Sequence, residues 1–308
     1  MHLHLNIKPS FLLPLATIKS LPNQFMGKAS SLRSLLGVTS LPRNEAHILM
    51  AHVLDKHYQL PRSAIISRDE MELNAPALEE WHSLESRRLN GEPVAYLVGK
   101  RGFHKIELQV APGVLIPRPE TELLVDIALQ EIKRIENSTK HPKILDLGTG
   151  SGAIALAIAN EAPNAQVLAT DQSTEAIAIA KFNAKSLGLE AGVEFARGSW
   201  YQALKENDIF DIIVSNPPYI PAQDPHLIEG DLRFEPADAL TDHSTGLSCL
   251  EAIVMGAKNR LKPMGLLAVE HGFDQSNAVV ELLKTAGLSD IQTHRDLSGH
   301  YRIASARK

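Results

Sequence analysis

Ile144-Leu145-Asp146-Leu147-Gly148-Thr149-Gly150-Ser151-Gly152 is the stretch on which the fold turns. Four residues, three of them apolar, read as a buried strand, and a glycine-rich turn ends it. An Ala-rich helix follows through Ile154, Leu156 and Ile158. Glycines in such a turn permit sharp backbone geometry and let a ligand approach the N–H groups at the start of a helix. A second strand, Val167-Leu168-Ala169-Thr170, ends in Asp171, 19 residues beyond Gly152. A carboxylate there can accept hydrogen bonds from both hydroxyls of a ribose. Ser173 can cap the next helix, which carries Ile177, Ile179, Ala180 and Phe182.

Further strands are expected at Val193–Phe195, Phe210–Val214 and Leu266–Val269, with a closing antiparallel pair at 291–294 and 301–303. Strands separated by helical stretches specify an α/β fold with a Rossmann-like, doubly wound sheet. This half should bind an adenosine-containing cofactor. Gly148, Gly150 and Ala153 also satisfy the looser dinucleotide pattern, which brings in a dehydrogenase reading. Asp146 argues against it, because a carboxylate before the turn repels a pyrophosphate and suits a ligand carrying an ammonium group.

The fourth strand ends in Ser215-Asn216-Pro217-Pro218-Tyr219. Two prolines stop the strand and stiffen the loop at a strand's carboxyl end, where open α/β sheets place ligands. Asn216 offers a side-chain amide, the prolines offer carbonyls with no N–H of their own, and Tyr219 offers a ring face. Asn216, Pro217, Pro218 and Tyr219 can therefore grip a flat NH2 group: oxygens accept its hydrogens and the ring stacks on its plane. Such a loop has no role in hydride transfer.

The 308 residues have room for two domains; 44% hydrophobic and 22% charged residues are ordinary for a globular protein. A net charge of −5 disfavours a free-standing nucleic-acid binder. The single cysteine, Cys249, excludes an internal disulfide, suits a reducing compartment and is expected in a helix core. No apolar run reaches membrane-spanning length, and no metal-ligand spacing occurs. His294 and His300 are expected at the surface or at strand ends.

Residues 1–30 carry no acidic side chain. They are expected to be a disordered extension, with Met26 as a working start; an organellar transit peptide is the alternative. Residues 31–92 read as a small helical bundle. It comprises a short helix at 32–36, a helix from Asn44 with Ala46, Ile48, Leu49, Val53 and Leu54 on one stripe, and another opening at Pro76 and stopped by Asn90-Gly91. Alternation and turn glycines across 93–118 suggest a connecting β-hairpin. Glu120 and Glu122 then sit in the first turn of a helix, where they complement its dipole. Residues 119–308 form the cofactor-binding domain.

Together, Asp146-x-Gly148-x-Gly150-x-Gly152, Asp171 and Asn216-Pro217-Pro218-Tyr219 resemble the motifs of class I S-adenosylmethionine-dependent methyltransferases acting on planar nitrogens. Three more runs narrow the resemblance: Gly91-Glu92-Pro93-Val94-Ala95-Tyr96-Leu97-x-Gly99 with Phe103, Ile116-Pro117-Arg118-Pro119-Glu120-Thr121-Glu122, and Gly230-Asp231-Leu232-Arg233-Phe234-Glu235-Pro236. These are similar to the peptide chain release factor glutamine methyltransferases, the HemK family of protein-(glutamine-N5) methyltransferases. The likeness runs from about residue 32 to the C-terminus. It implies methyl transfer from S-adenosyl-L-methionine to the glutamine of a Gly-Gly-Gln loop in class 1 release factors, by a cytoplasmic monomer. Ribosomal-protein glutamine methylation is the alternative, and DNA adenine methylation a more distant one. The resemblance implies that Asn216, Pro217 and Tyr219 are catalytic and that Asp146, Gly148, Thr149, Gly150, Ser151, Gly152, Asp171, Trp200 and Asn216 contact the cofactor. Asp171 would hold the ribose, the glycine turn the methionine end and Trp200 the adenine face.

Overall fold

The computed structural model describes residues 30–308; the expected N-terminal extension and Met26 lie outside the described residues. Two compact units divide at Glu80 and Trp81. The first holds helices α1 (Leu32–Val38), α2 (Arg43–Tyr58) and α3 (Ala64–Ser67), and the start of α4 (Ala75–Leu89). Ser31 caps α1 by accepting from Ser34 N. The inner stripe of α2 is Ala46, Leu49, Met50, Val53 and Leu54. Ile48, expected on that stripe, is exposed, and Met50 takes its place. The i, i+3, i+4 spacing from Ala46 through Leu49, Met50 and Val53 includes Met50 and leaves Ile48 off that face.

In the second unit, α5 (Val94–Val98) precedes β1 (Lys100–Phe103) and β2 (Ile106–Gln109). The expected hairpin is present, but only from Lys100 onward. Val94–Val98 is helical because Pro93 enters it with a fixed φ and Gly99, at φ 74°, ends it in the left-handed region. Alternation in so short a run did not distinguish the two.

The remaining elements are α6 (Glu122–Ile135), β3 (Lys143–Leu147), α7 (Ala153–Glu161), β4 (Gln166–Asp171), α8 (Thr174–Leu187), β5 (Val193–Arg197), β6 (Phe210–Ser215), α9 (Ala237–Leu240), α10 (Ser248–Arg260), β7 (Leu261–Glu270), α11 (Ser276–Thr285), β8 (Ser289–Arg295) and β9 (Tyr301–Arg307). Seven strands form one sheet in the order β5-β4-β3-β6-β7-β9-β8. The first five are parallel, and β9 inserts antiparallel between β7 and β8.

Period-two alternation sends Ile144, Val167, Ile212, Val214, Leu266 and Ala268 to one apolar layer with α7, and Leu145, Leu147, Ile213, Leu267 and Val269 to the other with α10 and α11. Buried on both faces, these strands are nearly continuous apolar runs. The chain steps outward from β3 to β5, then returns to β6 on the other side of β3. The carboxyl ends of β3 and β6 therefore flank the topological switch point, where open α/β sheets bind ligands.

Candidate active site

The turn after β3 uses backbone groups. Gly148, Gly150 and Gly152 have φ of 74°, 56° and 86°. Gly148 N and Thr149 N both donate to Thr170 O at 2.9 Å, Gly152 N to Thr149 O at 2.9 Å, and Gly150 N to Asp171 Oδ2 at 2.9 Å. The other Asp171 oxygen accepts from Ser173 N at 2.9 Å. Burial raises the Asp171 pKa against these bonds. A Cβ on Gly152 would fall 2.9 Å from Leu156 Cδ1 and 3.2 Å from Ala180 Cβ, so glycine there lets α7 pack close to α8. Asn183 ties the turn to the hairpin: its amide donates to Ser151 O at 2.9 Å and Gln109 O at 3.0 Å, and its oxygen accepts from Gln109 N at 2.8 Å.

Asp146 is fully buried beneath this turn. It accepts from Thr149 Oγ1 at 2.6 Å. Burial pushes its pKa up to about 7, opposed by the Thr149 bond and the Ala155 N–H and reinforced by the Asp171 charge. Its Oδ1 has no partner at good hydrogen-bonding geometry. A buried carboxylate under a turn whose N–H groups are already engaged makes a poor pyrophosphate cradle.

The loop after β6 uses side chains instead. Ser215 Oγ donates to Leu147 O at 2.7 Å, tying the ends of β6 and β3 together. Asn216 Nδ2 donates to Thr121 Oγ1 at 3.0 Å, so the amide nitrogen is engaged and Oδ1 is left to accept. Pro217 is buried, and Pro218 and Tyr219 are half-buried. Tyr219 donates its hydroxyl to Glu270 Oε1 at 3.1 Å, while its carbonyl accepts from Gln275 Nε2 at 2.9 Å. Burial, with the Glu270 charge, raises the Tyr219 pKa far above the ordinary phenol value.

Between turn and loop lies a cavity of about 860 Å³. Gly148, Thr149, Gly150, Ser151, Asp171, Trp200, Asn216 and Pro218 line it, so it brings together most of the expected site residues. Asp146, Gly152, Pro217 and Tyr219 are not among its lining residues. Trp200, itself at φ 45°, places its ring 3.5 Å from where a Gly148 Cβ would be. The lining carboxylates are Asp171, Glu175, Asp238 and Asp242, against the guanidinium groups of Arg118 and Arg197. That balance suits a cationic ligand better than a phosphate. Cys249, expected in a helix core, instead lines this cavity half-buried, because α10 begins at Ser248 and its first turn opens toward the site. Another groove of about 670 Å³, bordered by Pro142 and Ala165, lies at the amino ends of β3 and β4, away from the switch point.

The three runs outside the glycine turn and proline loop converge in space. Arg118 donates to Glu235 Oε1 at 2.5 Å, and Ile116 N donates to Glu235 Oε2 at 2.9 Å. Arg233 donates to Asn90 O at 2.5 Å, and Arg88 to Asp231 at 2.7 Å. A Cβ on Gly91 would lie 2.0 Å from the Arg233 guanidinium, and Gly91 has φ 94°. Sequence reading gave no partner to Glu235 and passed over Thr121 and Glu270. A carboxylate closing the apolar run of β7 at a carboxyl strand end was the available signal for Glu270. Glu122 also does more than face a helix dipole, since it accepts from His104 N at 3.0 Å. His294 bonds Ser305 Oγ at 2.8 Å, and His300 is exposed.

A family profile described as "Methyltransferase small domain" matches residues 121–229. With the switch-point cavity and its cation-favouring lining, this defines a class I methyltransferase that uses S-adenosylmethionine. A second profile, "PrmC N-terminal domain", matches residues 31–99. The chain is 46% identical over 273 residues to the release factor glutamine methyltransferase of Bordetella pertussis, covering 89% of this chain and 97% of that one. It is 47% identical over 267 residues to that of Xylella fastidiosa strain Temecula1, covering 87% and 94%. The match to that of Burkholderia pseudomallei is 45% over 277 residues, covering 89% and 94%. The chain belongs to the release factor glutamine methyltransferase family.

Proposed function

We propose that the protein transfers a methyl group from S-adenosylmethionine to the side-chain amide nitrogen of the glutamine in the Gly-Gly-Gln loop of class 1 peptide chain release factors. The carrying observation is the Asn216 amide, whose nitrogen is engaged by Thr121 while its oxygen is left to accept a substrate hydrogen. When bound, S-adenosylmethionine supplies a methyl group on a positively charged sulfur. Gly148 to Ser151 would hold its amino-acid end, Asp171 its ribose and Trp200 its adenine, with Asp146 and Gly152 supporting the turn from behind.

A glutamine amide is a weak nucleophile, so the task of the chain is alignment, an effect that can contribute roughly 7–11 kcal/mol. Asn216 Oδ1 and the Pro217 carbonyl accept the two amide hydrogens, aiming the nitrogen at the methyl and favouring the positive charge that develops on it. Pro218 keeps the loop stiff, and Tyr219 stacks on the amide plane. The substrate nitrogen gains the methyl and releases one proton to solvent. Residues 31–92 dock the release factor, 93–118 connect, and 119–308 carry the chemistry. No helix among the described residues is long and apolar enough to cross a membrane. We take the enzyme to be a cytoplasmic monomer, and its net charge of −5 disfavours stable binding to nucleic acid.

Asn216→Ala tests the reading. Transfer to a release factor should fall by about 10³-fold while S-adenosylmethionine still binds, as followed by calorimetry. Near-normal turnover would overturn the grip.

A further inference from the structure

Glu270 closes β7 at the same sheet edge as the Asn216 loop. It is 1% exposed and makes no ion pair among the described contacts. A carboxyl buried without a cation is costly, and burial pushes its pKa up to about 7. The groups that bear on it belong to the site. Tyr219 donates its hydroxyl to Oε1 at 3.1 Å. The Thr121 hydroxyl faces the carboxyl and works against the pKa rise, although Oε2 has no partner at good hydrogen-bonding geometry. Arg302, on β9, lowers the pKa from a distance while bonding Asp296 at 3.2 Å, and Glu120 raises it.

An asparagine can grip an NH2 group only in one of its two amide orientations. The flipped form would point its own NH2 at the substrate and set donor against donor. Here the bond from Asn216 Nδ2 to Thr121 Oγ1 sets the orientation. Thr121 accepts it best when its own proton points away from Asn216, and the Glu270 carboxyl lies close enough to draw that proton. The same carboxylate holds the Tyr219 hydroxyl.

We propose that Thr121 and Glu270 are positioning residues for methyl transfer, fixing the amide orientation of Asn216 and the ring of Tyr219 through one buried relay. The relay rests on the amide-grip reading. It acts only through those two side chains. Protonated Glu270 would need an acceptor for its own proton and would compete for the Thr121 lone pair, so the working form is the carboxylate.

The test measures steady-state kinetics on a purified release factor, cofactor affinity and thermal midpoint for Thr121→Val, Thr121→Ser and Glu270→Gln, with Asn216→Ala in parallel. Thr121→Val removes the acceptor at nearly constant volume. Its kcat should fall by about 10- to 100-fold, with cofactor Kd and KM for the release factor within about twofold, and Thr121→Ser should restore most of the loss. The wild type should lose kcat as pH falls through about 7, and Glu270→Gln should be slower and flat over that range. A dead Asn216→Ala with a fully active, folded Thr121→Val would overturn the relay and leave the grip standing. An active Asn216→Ala would overturn the grip itself. If Thr121→Ser were no better than Thr121→Val, or Glu270→Gln kept the acid limb, the relay would also be wrong.

Discussion

Two segments at the carboxyl ends of neighbouring strands solve different problems. The turn after β3 must be a surface for a cofactor, and it is built from backbone. Three left-handed glycines and a set of main-chain N–H bonds between Asp146 and Asp171 fix it, with Asn183 adding one tie from further along the chain. The loop after β6 must aim one atom of a substrate, and it is built from side chains. Two prolines stiffen it, but the orientation of Asn216 and Tyr219 depends on Thr121 and Glu270, which come from distant parts of the chain. Backbone-built sites are specified locally, and side-chain-built sites need the whole fold.

Substitutions should separate the two. The largest effect is expected from Asn216→Ala, about 10³-fold on turnover with cofactor binding nearly intact. Asp171→Ala should do the reverse. Gly150 N and Ser173 N would lose their shared acceptor, and cofactor affinity should fall by about 10²-fold by calorimetry. Breaking the bridge between the distant runs should have a smaller effect: Glu235→Gln weakens its bonds to Arg118 and Ile116 N, and about tenfold lower kcat/KM for the release factor is expected.

This contrast explains what could be read from sequence. The parallel sheet was legible because β3, β4, β6 and β7 are buried on both faces and leave nearly unbroken apolar runs, while β5 and the closing pair showed as short strand-like runs in the expected places. Asp171 was legible because the glycine turn fixes its distance along the chain. Val94–Val98 was not, since its short alternation fits a strand and only Pro93 and Gly99 betray the helix. Ile48 was expected on the stripe although the i, i+3, i+4 spacing from Ala46 passes through Met50 instead. Cys249 was placed in a core because nothing in the sequence shows where α10 opens toward the cavity. Glu235 and Glu270 had no visible role until residues 117 and 51 positions away came into contact with them.

Away from the site the effects are on stability. Glu131 on α6 bonds Arg134 and also Arg307 at the end of β9. Burial works to raise its pKa, but the two guanidinium groups overcome it and hold the carboxyl down at about 2. The folded pKa lies below the unfolded one, so this stabilisation is full above about 4.5 and is lost as pH falls toward about 2. Glu131→Gln should lower stability by about 2 kcal/mol at neutral pH, and its denaturation midpoint should depend less on pH across that window than the wild type's. The smallest change is expected in the helical unit. Glu80 bonds Lys56 and His57, which outweigh burial and lower its pKa. Its contribution should likewise fade as pH falls below the ordinary carboxylate value, seen as a modest drop in thermal midpoint.

The central claim is that the proline loop grips a protein glutamine. Its most direct measurement is transfer of a labelled methyl group from S-adenosylmethionine to purified class 1 release factors, with ribosomal protein and DNA offered in parallel and the modified residue located by mass spectrometry. Label on the side-chain amide of the Gly-Gly-Gln glutamine is the expected result. Label on DNA alone, with the release factor untouched, would contradict it.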